Sequence, residues 1–87
     1  MEIQHILLRT EYLVVPILNN LKTGADFAQL AREHSACPSA LQGGSLGRIE
    51  IEDLPASIRE ALADAPLGEV TGPIETHHGL HIVRRNG

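Results

Sequence analysis

The sequence predicts an α+β domain with elements in the order β-α-α-β-α-β-β and with its first and last strands paired in an antiparallel sheet. Three observations carry this. Short strand-like runs rich in apolar residues stand near both ends, Ile3-Gln4-His5-Ile6-Leu7-Leu8 and Gly79-Leu80-His81-Ile82-Val83. Between them lie three stretches with apolar residues at helical spacing. Just before the last run, His77-His78-Gly79 has the character of a hairpin turn. Each terminal run carries a histidine. Pairing the two strands would bring the imidazoles together on a mostly apolar floor, where water is scarce and a polar hydrogen-bonded network has consequences.

Each element has its own warrant. Residues 2–8 read as a strand. Residues 13–22 read as a helix through Leu13, Val14, Ile17, Leu18 and Leu21. Pro16 is comfortable only in a first turn and costs about 3 kcal/mol deeper in, so this helix starts close to Pro16 or is distorted there. Gly24 is suited to a left-handed cap. A second helix runs from Asp26 or Phe27 to about His34, burying Phe27, Leu30 and Ala31. The pattern then stops. Ser35 to Gly47 is rich in Ser, Gly, Pro and Ala, and a loop of that length in a small domain is usually functional. Leu46 to Ile51 reads as a short strand. Leu54 to Leu62 gives a third helix, with Leu54, Ile58, Ala61 and Leu62 on one face. Val70 to Thr76 and Leu80 to Arg84 form the closing hairpin.

The 87 residues make one domain, 1–87, whose core is small: such a chain buries roughly 60–65% of the surface it exposes when unfolded. The only aromatics are Tyr12 and Phe27, so any apolar pocket is walled by aliphatic side chains. The formal net charge is −4 and the seven basic residues form no block, which argues against nucleic acid. The run Leu13 to Leu18 is far too short to span a bilayer, and no basic stretch followed by an apolar one suggests a leader. The single cysteine, Cys37, rules out an internal disulfide and forces no oxidising compartment. A cytoplasmic protein is the expectation, although a domain cut from a larger exported protein would look the same. Nothing forces a dimer, so a monomer is expected.

Taken singly, the candidate residues have plain readings too. His5 and His81 serve equally as core histidines satisfied by each other and by Thr76. Cys37 can line a site, be inert, or be a nucleophile if a base or helix terminus lowers its pKa. His77, His78 and His81 invite a metal reading, with His5 and Cys37 as further ligands. On a strand, however, positions 77 and 81 lie roughly 13 Å apart, so no metal is expected, and His77 and His78 read as exposed turn residues. Gly43-Gly44 with Gly47 lacks the lysine and helix start of a phosphate cradle. Glu50, Glu52 and Asp53 read as a solvated acidic rim.

In combination the motifs resemble the parvulin-type (PpiC, rotamase) peptidyl-prolyl cis/trans isomerases. The stretches are Gln4-His5-Ile6-Leu7-Leu8, Gly24-Ala25-Asp26-Phe27-Ala28-Gln29-Leu30-Ala31, His34-Ser35-Ala36-Cys37-Pro38-Ser39, Gly43-Gly44-Ser45-Leu46-Gly47, Gly68-Glu69-Val70-Thr71-Gly72-Pro73 and Gly79-Leu80-His81-Ile82-Val83. They follow family order and spacing over nearly the whole chain. The resemblance implies a four-stranded antiparallel sheet surrounded by three to four helices, in the order β-α-α-(α)-β-α-β-β. It implies rotation of X-Pro peptide bonds without cofactor or metal, acting on unfolded or loop segments. It further implies that His5 and His81 are the central histidines, that Cys37 holds a position usually Cys or Asp, and that Thr76 hydrogen-bonds with the histidines. Leu46, Leu54, Ile58 and Ile49 match the proline-pocket wall.

The chain also departs from the family pattern. Ile58 stands where Phe is general, Leu54 where Met is, and Ile49 and Leu80 where aromatics are common. Glu50 to Asp53 lacks a glycine usual there, and the proline is displaced by one, to Pro55. The wall has thus lost flat rings, which implies weaker proline binding and turnover. Phosphate-directed members carry a basic cluster after the first strand. Here Arg9 stands alone, so a non-phosphorylated substrate is expected. A catalytically weak peptide-binding or chaperone module of the same fold, and a thiol- or metal-dependent activity, are the other readings.

Overall fold

The computed structural model describes residues 2–63 and 65–86. Strand β1 (Glu2–Leu8) leads through a 3-10 turn at Glu11–Leu13 into helix α1 (Val14–Lys22), followed by α2 (Phe27–His34). A second 3-10 turn at Pro38–Gln42 precedes β2 (Ser45–Arg48), and a third at Ile51–Asp53 precedes α3 (Ala56–Ala63). The hairpin of β3 (Val70–Thr76) and β4 (Gly79–Arg85) closes the chain. The sheet has four strands in the order β2-β1-β4-β3, every neighbouring pair antiparallel. The predicted adjacency of the two terminal strands is therefore observed, and they form the centre of the sheet.

Register explains the two-sided core. Ile6 lies opposite Ile82 and Leu8 opposite Leu80, while His5 lies opposite Val83 and Leu7 opposite His81. Opposed residues share a face and successive residues alternate. One face thus carries Ile6, Leu8 and Ile82, which pack with Val14 and Ile17 of α1 and Phe27, Leu30 and Ala31 of α2. The other carries Ile3 and Val83, which pack with Ile74 of β3, Ile58 and Leu62 of α3, and Leu54. The histidines belong to this second face.

Some local details match the sequence expectation and others depart from it, each for a physical reason. Pro16 is the third residue of α1, within its first turn, where no intrahelical donor is lost. Gly24 is left-handed at φ 97° and ends α1 as expected. The second strand is shifted: it covers Ser45–Arg48 rather than 46–51, because the chain turns away into the 3-10 turn containing Glu52 and Asp53. The third helix begins at Ala56, after Pro55, so Leu54 packs on the core from the connection ahead of it. The segment from Ser35 to Gly47, expected as loop throughout, is tightly built. Its 3-10 turn starts with Pro38 and ends at left-handed Gly43.

Candidate active site

Strands β1 and β4 bring His5 and His81 together from opposite ends of the chain. The residues sit diagonally on one face, two register pairs apart, and their rings stack with centroids 5.6 Å apart at 19°. Both are buried, at 7% and 5% exposure. They stack rather than hydrogen-bond to one another. Each is tied through Nε2 to a hydroxyl: His5 to Ser39 Oγ at 3.0 Å and His81 to Thr76 Oγ1 at 2.7 Å. Thr76 Oγ1 also accepts the His78 backbone N–H at 3.2 Å.

The electrostatics follow from this placement. Burial, and then the facing His81, lower the His5 pKa from 6.5 to about 4. Burial, and then His78, lower that of His81. A buried imidazolium beside a second imidazole would lose hydration and gain no counter-charge. The site is therefore a pair of neutral rings at neutral pH, and each ring can offer one N–H and one lone pair.

The stretch from Ser35 to Cys37, just after α2, is anchored to β1. Ser35 Oγ accepts the Leu7 N–H at 3.0 Å, and the Ala36 N–H donates to the Leu7 carbonyl at 2.8 Å. Cys37 follows, half-buried, its N–H donating to Ser35 Oγ at 3.3 Å and its carbonyl accepting from Ala40 at 2.9 Å. Among the described residues its thiol makes no hydrogen bond to either imidazole. Ser39 is the residue that sequence reasoning did not single out. A serine in a Ser/Gly/Ala-rich stretch reads as loop, and its one cue was its place just after Cys37-Pro38 within a motif already quoted.

The four aliphatic wall residues come together in a single apolar cluster on the histidine face, but they are not equivalent. Leu54 and Ile58 are core residues, 8% and 4% exposed, locked between α3 and the sheet. Leu46 and Ile49 are half-buried at its margin and are the two with surface to offer a ligand. Neither aromatic joins them: Phe27 is buried on the opposite face and Tyr12 is exposed. Leu80, too, packs on the opposite face. His77 and His78 lie in the exposed β3–β4 turn, ring centroids 4.0 Å apart. A groove of about 620 Å³ beside that turn is lined by Arg9, Glu11, Tyr12, Glu75 and Thr76, so Arg9 shares it with two carboxylates.

Residues 5–87 match the family model described as the rotamase, PPIC-type PPIase domain. The chain is 41% identical over 70 residues to chaperone SurA of Escherichia coli O157:H7, covering 80% of this chain and 16% of that protein. It is 42% identical over 74 residues to chaperone SurA of Photorhabdus laumondii subsp. laumondii, covering 85% and 17%. Among solved structures, PrsA from Bacillus subtilis superposes with a TM-score of 0.93 at 31% identity, over 100% of this chain and 34% of that one. NmPin, the parvulin of Nitrosopumilus maritimus, gives 0.88 at 32%, over 100% and 95%. The chain spans about a sixth of the length of the SurA relatives it matches.

Proposed function

Because this chain belongs to the PPIC-type PPIase family, as a parvulin-type peptidyl-prolyl isomerase domain, we propose that it accelerates rotation about X-Pro bonds in unfolded or loop segments without any covalent step. The uncatalysed rotation crosses a barrier of about 18–20 kcal/mol. In the transition state the amide is twisted, its resonance is lost, and its carbonyl sweeps through an arc. A twisted amide is less dipolar than a planar one, so apolar surroundings favour it over the ground state. Leu46 and Ile49, backed by Leu54 and Ile58, supply those surroundings for the prolyl ring. The neutral rings of His5 and His81, with their hydroxyl partners, form a polar floor that meets the moving carbonyl without imposing a charge. Cys37 lines this floor. The substrates are segments without phosphate, a reading supported by the two carboxylates, Glu11 and Glu75, that share the groove lining with Arg9.

The observation that carries the proposal is the stacked, hydroxyl-anchored pair of buried neutral histidines beside the aliphatic margin. Cis-to-trans rates of short X-Pro peptides, read by exchange NMR, test it. The parent should be faster than buffer, and His5→Ala should lose on the order of tenfold or more, as expected for a group that acts on the transition state. Cys37→Ala should lose less. A second reading, a catalytically weak peptide-binding module within a chaperone, is favoured by the deep burial of Leu54 and Ile58 and the lack of ring surfaces in the wall. It predicts peptide-induced shifts with no gain in rate.

A further inference from the structure

Resting on that isomerase reading, we propose that Ser39 is a positioning residue: it holds His5 as its Nδ1–H tautomer and so decides which nitrogen of the ring serves as donor to the substrate amide. Among the described residues, the Ser39 hydroxyl has one hydrogen-bonding partner, His5 Nε2 at 3.0 Å. Donation of the hydroxyl proton there leaves Nε2 as acceptor and places the single ring proton of a neutral imidazole on Nδ1. The reverse arrangement would leave the hydroxyl proton of a half-buried serine without a protein acceptor.

Ser39 is fixed for this task by a closed circuit of hydrogen bonds. Its carbonyl accepts the Gly44 N–H at 2.9 Å, and the Gly44 carbonyl accepts the His5 backbone N–H at 2.9 Å. Side chain and main chain of His5 are thus both bound to the segment 39–44. Gly44 closes the circuit at φ 82°, where a Cβ would collide with the His5 carbonyl oxygen. The other ring also has a hydroxyl partner, from an unrelated segment. Thr76 Oγ1 accepts from the His78 N–H, which frees its own proton for His81 Nε2 at 2.7 Å. Two stacked imidazoles therefore receive their hydroxyl partners on the same ring nitrogen, one from the turn after α2 and one from β3.

Long-range proton–nitrogen NMR reads histidine tautomers directly in the intact chain. In the parent, His5 should appear as Nδ1–H alone. In Ser39→Ala it should become a mixture, while His81 stays as it was. The cis-to-trans rate constant should drop about three- to tenfold, the equivalent of one neutral hydrogen bond. Ser39→Thr should restore both the tautomer and the rate to within about twofold of the parent. An Nε2–H parent, or a Ser39→Ala variant whose His5 remains a single Nδ1–H species, would overturn the assignment. The parent spectrum decides the first point even if the alanine variant fails to fold. A parent that shows the expected tautomer yet does not catalyse would instead sink the isomerase reading and leave the role of Ser39 on the ring standing.

Discussion

His5 is a buried base, and its neutrality has a thermodynamic consequence. Its pKa is about 4 in the folded chain, against 6.5 for a free histidine. Between those values the unfolded chain binds more protons than the folded one, so stability rises with pH across that window. The penalty is absent above about pH 6.5 and grows as the pH falls toward 4; His81 acts in the same direction. After allowance for solvent reaching the ring, His5 alone accounts for ~2 kcal/mol. Thermal unfolding by circular dichroism should show the parent losing stability through this range and His5→Gln losing less; parallel acid limbs would assign the titration to other groups. Gly44 gives a second test at this scale. A methyl group there meets the His5 carbonyl and the Ala31 side chain at a left-handed backbone position. Gly44→Ala should cost about 3 kcal/mol in urea unfolding and weaken the site with it.

At the scale of elements, α3 decides how the wall is to be understood. Ile58 and Leu62 face the sheet and fill the cluster with Ile3, Ile74 and Val83. Ile58→Phe adds volume to a filled space rather than a flat ring to an open pocket, and should lower stability by about 1–3 kcal/mol in chemical denaturation. A neutral result would mean that the side chain opens toward solvent. The strands and helices themselves were legible because their apolar periods are unambiguous: β1, α2 and β3 follow the pattern of their residues almost to the end. So was the meeting of His5 and His81, since one sheet places both terminal runs side by side. The segment 35–48 was less legible. Its order comes from Ser35 and Ser39 hydroxyls bonding to β1 and from three left-handed glycines, Gly43, Gly44 and Gly47, not from any apolar period. That is also why Ser39 escaped notice and why β2 lies one residue earlier and ends three residues sooner than its sequence suggested. The division of the wall into buried Leu54 and Ile58 and marginal Leu46 and Ile49 depends on how α3 docks, which spacing alone does not encode.

For the whole molecule, the central strands are the first and the last, and both cores are built on them. Neither layer survives without β1 and β4, so the domain should unfold as a unit. Amide exchange should be slowest along Ile6–Leu8 and Ile82–Val83, at the free energy of global unfolding, and faster in β2 and the 3-10 turns. Slow exchange confined to one helical layer would refute a single cooperative unit. The same arrangement sets the two chain ends side by side. Ile3 pairs with Arg85, and the Asn86 N–H donates to the Glu2 carbonyl at 2.8 Å. Gln4 adds a clasp, its Oε1 accepting from Arg84 at 2.6 Å and Asn86 at 2.8 Å. A polypeptide that enters and exits at one point can be spliced into a surface loop of another protein without prying that host apart. Entry and exit thus lie together at one end of the two central strands, bridged by the domain's own backbone, on the same pair of strands that carries the histidines.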